Sequence, residues 1–173
     1  MKKQRLDRVE LLKQAEQFFF EAMLRGWVFM GRRTGANEIT VDKEGFSNFF
    51  FMDVDKGAFL LHDRWIVGAD GRSVGTTMIW CLDSPNALVW FMSYGGQYEK
   101  KAIPLVKMAL RRSYGLRNFY GGRGSQQAKF RGMLYLNTPK DNRFDDFSGF
   151  ERVWVDSTGQ SLGFHRYHGM SLI

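Results

Sequence analysis

Gly75-Thr-Thr-Met-Ile-Trp80 runs on to Asp83-Ser84, Phe91, Tyr94 and Gly96. It is answered by Gly149-Phe-Glu-Arg-Val-Trp154, which runs on to Asp156-Ser157, Phe164, Tyr167 and Gly169. The order G…W…D-S…F-x-x-Y-x-G recurs with nearly constant spacing. Self-similarity of this kind is sought before a fold is assigned, because it decides the architecture. It predicts one compact domain, 1–173, made of two related halves at about 8–98 and 99–173. Each phrase is a hairpin grammar: glycine entry, buried tryptophan, polar turn, aromatic return strand. In the first phrase the strands fall at 76–82 and 87–94 around Asp83-Ser84-Pro85-Asn86. In the second, Asp156-Ser-Thr-Gly159 turns a hairpin with strands at 150–156 and 161–167.

A helix precedes each meander. Leu11, Leu12, Ala15, Phe18, Phe19, Ala22 and Met23 recur at three-to-four-residue spacing, which predicts an amphipathic helix over about 8–25. Asp7 suits its N-cap, with Glu10 three residues on. Gly26 is placed to end it in a left-handed conformation. A second helix is expected at about 102–114. Pro104 sits in its first turn, where a missing N–H costs nothing, and Gly115 follows it. Further strands are predicted at 27–30, 46–54, 58–61, 64–68 and 129–137, with an Asp70-Gly71 turn. The loops match loosely, Phe29-x-Gly31-x-Arg33-x-Gly35 against Phe119-x-Gly121-x-Arg123-Gly124. Short turns favour antiparallel pairing. The expected class is α+β: two helices packed on one face of a large twisted antiparallel sheet.

The net charge of +7 is concentrated. From Glu99 to Arg131 nine basic residues face one acid, which leaves the remainder nearly neutral. The plain reading is a solvated helix face and loop. Cys81 is the sole cysteine, so no intrachain disulfide forms. No apolar run is long enough to cross a bilayer. The first eight residues lack the pattern of a secretion signal. A cytoplasmic setting with no membrane partner is therefore expected.

Few residues announce chemistry. Gly121-Gly-Arg-Gly-Ser125 could cradle an anion on its backbone N–H groups, but it lacks the lysine of a nucleotide P-loop. In Phe164-His-Arg-Tyr-His168, strand alternation puts His165 and Tyr167 on one face and Arg166 and His168 on the other. No His/Cys/Asp cluster has metal-ligand spacing, and no cofactor is expected. No strained Gly-x-Ser-x-Gly elbow occurs. His165, His168 and Glu151 are the weak candidates for acid–base work. An inert, buried Cys81 and a core role for Trp80, Trp90 and Trp154 are the bland readings of those residues.

The segments Arg33-x-Gly35 with Glu38, Trp90-x-Met92-x-Tyr94-x-Gly96, Phe119 to Gly124, and Phe147-x-Gly149-x-Glu151 through Tyr167-His168-Gly169 carry a resemblance. Across most of its length after Leu11 the chain resembles a bacterial domain-of-unknown-function family, the one numbered 5680. Its members occur alone or behind helix-turn-helix DNA-binding domains, and no activity is established for them. The chain departs from that pattern at Thr77, where an acidic residue is usual. It also departs at Gly169-Met170, where the glycine is usually doubled, and over a longer stretch at 54–74. With Thr77 in place of a carboxylate, a two-carboxylate site is not expected.

Three functions follow as expectations. The first is a non-enzymatic module that binds a small ligand, an anionic one included, or a protein partner between its halves. Its contacts would be Tyr94, Arg123, Glu151, Tyr167 and His168, and the resemblance implies an effector-sensing role. The second is a nucleic-acid binder or small nuclease using Arg112, Arg117, Arg123 and Arg131, with aromatics interleaved among them. The third is a small-molecule hydrolase or lyase, which needs Glu151 and His168 to meet.

Overall fold

The computed structural model describes residues 7–29, 38–53, 59–83 and 87–173. Helix α1 (Arg8–Arg25) leads into strands β1 (Ile39–Val41), β2 (Ser47–Met52), β3 (Phe59–Val67), β4 (Arg72–Cys81) and β5 (Ala87–Tyr98). A 3-10 turn at Lys100–Ala102 opens α2 (Ile103–Gly115). Strands β6 (Gln127–Phe130), β7 (Met133–Arg143), β8 (Asp146–Val155) and β9 (Ser161–Ser171) follow. Among the described residues nine strands form one antiparallel sheet in the order β1-β2-β3-β4-β5-β9-β8-β7-β6. The fold is α+β, with both helices on one face of that sheet.

Aromatic packing joins the layers. Phe18 of α1 lies 5.5 Å from both Phe51 and Phe59. Phe19, one residue on, packs against Trp90 at 5.1 Å and edge-on to Tyr114 of α2 at 5.7 Å. Trp90 is fully buried and donates its indole N–H to the Phe144 carbonyl at 2.7 Å, so its one polar atom is satisfied inside the core. Trp80 and Trp154 differ from the sequence expectation. Both are half-buried and lie on the face away from the helices, where Trp80 stacks toward His62 and Arg152 covers Trp154.

The two halves share a register. Gly75 pairs Tyr94 across β4–β5, and Gly149 pairs Tyr167 across β8–β9. Thr77 opposes Asp63 across β3–β4, and Glu151 opposes Asn137 across β7–β8. The ladder slips between Ile79 and Trp80 in one half and between Val153 and Trp154 in the other. The halves meet along β5 and β9, where Tyr94 pairs directly with Tyr167.

Several local expectations are corrected. Trp27 and Val28 belong to a turn, closed by the Phe29 N–H on the Gly26 carbonyl; Met30 lies outside the described residues. Gly26 has φ −80°, so it is not left-handed. A Cβ there would come within 3.2 Å of the Phe49 ring, and that close approach is what a glycine permits. The stretches expected at 58–61 and 64–68 are joined in one strand, β3 (Phe59–Val67), and Ala58 lies outside the described residues. The stretch 129–137 is instead divided at Arg131-Gly132, both with positive φ. β1 was not foreseen. The 29–35 loop match lies outside the described residues from Met30 onward, as do Ser84, Pro85 and Asn86.

Candidate functional site

Strand alternation sets the site. Leu61, Asp63 and Trp65 project from β3 toward the helices, and Ser73, Gly75, Thr77 and Ile79 do so from β4. Leu61 and Ile79 are core. Beyond them the same face becomes polar, with buried Asp63, Thr77, Asn137, Glu151 and His165. A buried polar group is costly unless it is hydrogen-bonded, so each of these needs partners.

Tyr94 and Tyr167 supply two of them. Each ring lies flat across the glycine of the next strand, Gly75 under Tyr94 and Gly149 under Tyr167. A Cβ on Gly75 would fall 2.5 Å from the Tyr94 ring. The Tyr94 hydroxyl thereby reaches Asp63 Oδ1 at 2.9 Å, and the Tyr167 hydroxyl reaches Asn137 Oδ1 at 2.6 Å. This is the physical content of the repeated glycine and tyrosine: the glycine is the seat of the ring.

Glu151 is fully buried and accepts four hydrogen bonds from three side chains. Arg123 gives Nε at 3.1 Å and Nη2 at 2.5 Å to its Oε1, Tyr98 donates to Oε1 at 2.9 Å, and the Tyr135 hydroxyl donates to Oε2. Burial pushes the Glu151 carboxyl up, but the Arg123 charge and these donors outweigh it and hold it below the usual carboxylate value. His165 sits beside the pair. Arg123 Nη2 can only donate, so His165 Nδ1 accepts at 3.3 Å and Nε2 carries the proton toward Ser73 Oγ at 3.1 Å. Burial, reinforced by the Arg123 charge, pushes His165 down to about 4. It is therefore neutral at pH 7, and its 3.8 Å approach to Glu151 is not an ion pair.

Asp63 is only 3% exposed. Thr77 Oγ1 donates to it at 2.8 Å, beside the Tyr94 hydroxyl. Burial raises its carboxyl to about 6 despite these two donors and the more distant Arg123 charge. Two buried carboxylates are thus present, contrary to the expectation drawn from Thr77, because the first half carries its acid one strand over.

A pocket of about 350 Å³ opens above this floor. Asp63, Tyr94, Arg123 and His165 reach it from below, while Trp65, Ser73 and Tyr98 extend the sheet side. Met23, Trp27 and Val28 at the end of α1 form one wall, and Ile103, Leu110 and Tyr114 of α2 form another. The lining therefore draws on both halves of the chain and is mostly apolar. Arg123 is delivered by the Gly121–Gly124 loop. That loop is tied down by Gly121 N–H on Asn142, by the Asn137 amide on the Tyr120 and Gly124 carbonyls, and by Tyr114 on the Gly122 carbonyl. These bonds hold the loop and position Arg123, whose guanidinium carbon lies 5.0 Å from the Tyr94 ring centre.

Of the sequence-predicted contacts, Tyr94 and Arg123 line the pocket. Glu151 and Tyr167 lie beneath it as supports. His168 is corrected: it is exposed on the face away from the helices, bonded through Nδ1 to Ser93 Oγ at 2.7 Å, because β9 alternates. Glu151 and His168 therefore do not meet, which removes the pair on which a hydrolase or lyase depended. The nucleic-acid set loses Arg123, which is 5% exposed and held by Glu151. Arg112, Arg117 and Arg131 are exposed, and Arg117 lies 3.4 Å from Glu21. Asp63, Trp65, Tyr98 and Trp27 were not foreseen. An aspartate in step with Leu61 and Trp65 was the available signal for the first.

Cys81 is buried and free. Among the described residues no group of three or more His, Cys, Asp or Glu side chains is placed to hold a metal, and no helix is long and apolar enough to cross a membrane. Comparison with protein-family models, with curated proteins and with solved structures gives no match, so the site speaks through its own geometry.

Proposed function

We propose that this chain is a small-ligand-binding module whose ligand occupies the pocket between α1, α2 and the sheet. The observation that supports it most is the pocket itself: an apolar chamber of ligand size with a few convergent, pre-bonded polar groups at its base. The bonding of the two buried acid–base candidates, Glu151 and His165, argues against catalysis by either. Glu151 is fully engaged by donors and His165 is neutral and bonded on both nitrogens, so neither is poised to move a proton at pH 7. The matched registers and bulges support reading the chain as a duplicated helix-plus-meander, with the ligand straddling the two copies. An effector-sensing role is what the family resemblance would suit.

The test uses Trp27 and Trp65, which line the pocket and report on it by fluorescence. Titration with the neutral apolar probe N-phenyl-1-naphthylamine is expected to give saturable binding and a raised melting temperature. Ser73→Phe, which projects a ring into the chamber, is expected to abolish both while the apo protein still unfolds cooperatively. Equal binding by this variant, or no binding by the native chain, would rule the reading out.

A further inference from the structure

The two buried acids below the pocket are not equivalent. Glu151 faces a guanidinium at 2.5 Å and is electrically matched. Asp63 has no cation within ion-pair distance among the described residues. Both of its hydrogen bonds land on Oδ1, from Thr77 and Tyr94. Oδ2 accepts none, on a residue that is 3% exposed and lines the pocket. A carboxylate built into a floor with one oxygen unbonded is an acceptor kept for something that is not part of the chain. On the ligand-binding reading above, we propose that the pocket takes a lipophilic amine whose protonated nitrogen pairs with Asp63 while its apolar body lies among the aromatic walls.

The surrounding charges favour that sign. Arg123 is the cation whose charge acts on Asp63, and Glu151 already neutralises it. An anion drawn to Arg123 would have to pull it from Glu151 and strand a buried carboxylate, a costly exchange. It would also face the unbonded Asp63 oxygen. His165 is neutral. Lys100 lines the mouth but is exposed, where solvent and salt screen its charge. The pocket residues from α1 and the turn after it, Met23, Trp27 and Val28, carry no charge, nor do Ile103, Leu110 and Tyr114 from α2. From the neighbouring strands Thr77, Tyr94 and Tyr98 are neutral hydroxyls. The walls suit the ligand too. Trp27, Trp65, Tyr94 and Tyr98 present ring surface, which attracts ammonium groups and packs against their substituents.

Three probes of one skeleton separate the possibilities: tryptamine, the alcohol tryptophol and the carboxylate indole-3-propionate, each competed against N-phenyl-1-naphthylamine. At pH 7.5 the amine is expected to bind roughly tenfold or more tighter than the alcohol, as a charge-assisted bond to a buried carboxylate implies. The carboxylate is expected to bind weakest. Asp63→Asn is expected to erase the amine's advantage and leave the alcohol within about threefold, a change worth tenfold in the ratio. Asn137 holds the register-equivalent place in the second half, so an amide has a precedent in this setting. In the native chain the preference for amine is expected to shrink as pH falls through about 6 and Asp63 takes up a proton. That series needs no variant. A carboxylate that outbinds the amine, or an Asp63→Asn protein that keeps the tenfold preference, would overturn the inference. If the naphthylamine binds but amine and alcohol compete equally, only the amine inference falls. If neither the reporter nor any of the three binds, the ligand-binding reading falls and this one with it.

Discussion

Tyr94 over Gly75 and Tyr167 over Gly149 are the same device facing two different partners. The first tyrosine donates to a carboxylate, Asp63, and the second to an amide, Asn137. Across the adjoining strand the chemistry is exchanged: Thr77 accompanies Asp63, whereas Glu151 accompanies Asn137. Each half keeps one acid, on β3 in one and on β8 in the other. The second acid acquired a counter-ion, Arg123, and a closed shell of tyrosines. The first acquired a pocket. The same strand register thus frames one polar centre that closes on itself and one that is left open.

The largest test of this contrast removes the closed half's charge. Glu151→Gln leaves Arg123 buried beside an amide, and a cost of about 3–5 kcal/mol is expected in urea unfolding. Adding Arg123→Met should recover much of it. A single-variant loss under about 1 kcal/mol would mean the two centres are not so different. The open half should respond with the opposite sign. The Asp63 carboxyl is raised from 3.8 to about 6 in the fold, so the native state holds a proton that the unfolded chain has lost between those values. Ionised Asp63 therefore costs stability above pH 6, and the cost is relieved as pH falls toward 4. Asp63→Asn is expected to stabilise the apo protein by roughly 2–3 kcal/mol at pH 8 and by almost nothing at pH 4. Denaturant melts at the two pH values decide it; a destabilised variant at pH 8 would contradict the assignment of an unmatched charge. The glycine seats give the smallest effect. Gly75→Ala and Gly149→Ala each crowd a tyrosine ring, at about 1–3 kcal/mol. Only the first should also weaken probe binding, because Tyr94 lines the pocket and Tyr167 does not.

Much of the fold is legible in the chain. The 3.6-residue stripe in α1 and the alternation along 75–81 and 164–169 are dictated by burial of one face, which sequence records directly. The errors have one origin each. Trp27-Val28-Phe29 is apolar enough for a strand, yet Val28 and Trp27 face the core from a turn, and burial alone does not distinguish the two. Arg131 takes positive φ without a glycine or asparagine to advertise it. The costliest miss for the site was a break assumed between Leu61 and Arg64. That break put Asp63 in a loop, where an aspartate is unremarkable. In a continuous β3 it falls on the core face, between Leu61 and Trp65. Arg123, Tyr94 and Glu151 were legible because they are the residues at which the two phrases invite comparison. His168 fell to the alternation that the sequence itself displays.

The strand order has a consequence for the order of events in folding. β9, residues 161–171, lies at the middle of the sheet, between β5 and β8. Strands 1 to 5 can pair as they emerge during synthesis, but β5 must present an unpaired edge until β9 arrives. Its partner contacts are about seventy residues away in sequence, a span that slows closure and exposes a sticky ladder meanwhile. Floor and pocket residues from both halves, Tyr94 and His165 among them, come together only at that closing step. Whatever the chamber holds, it cannot be held by a nascent half.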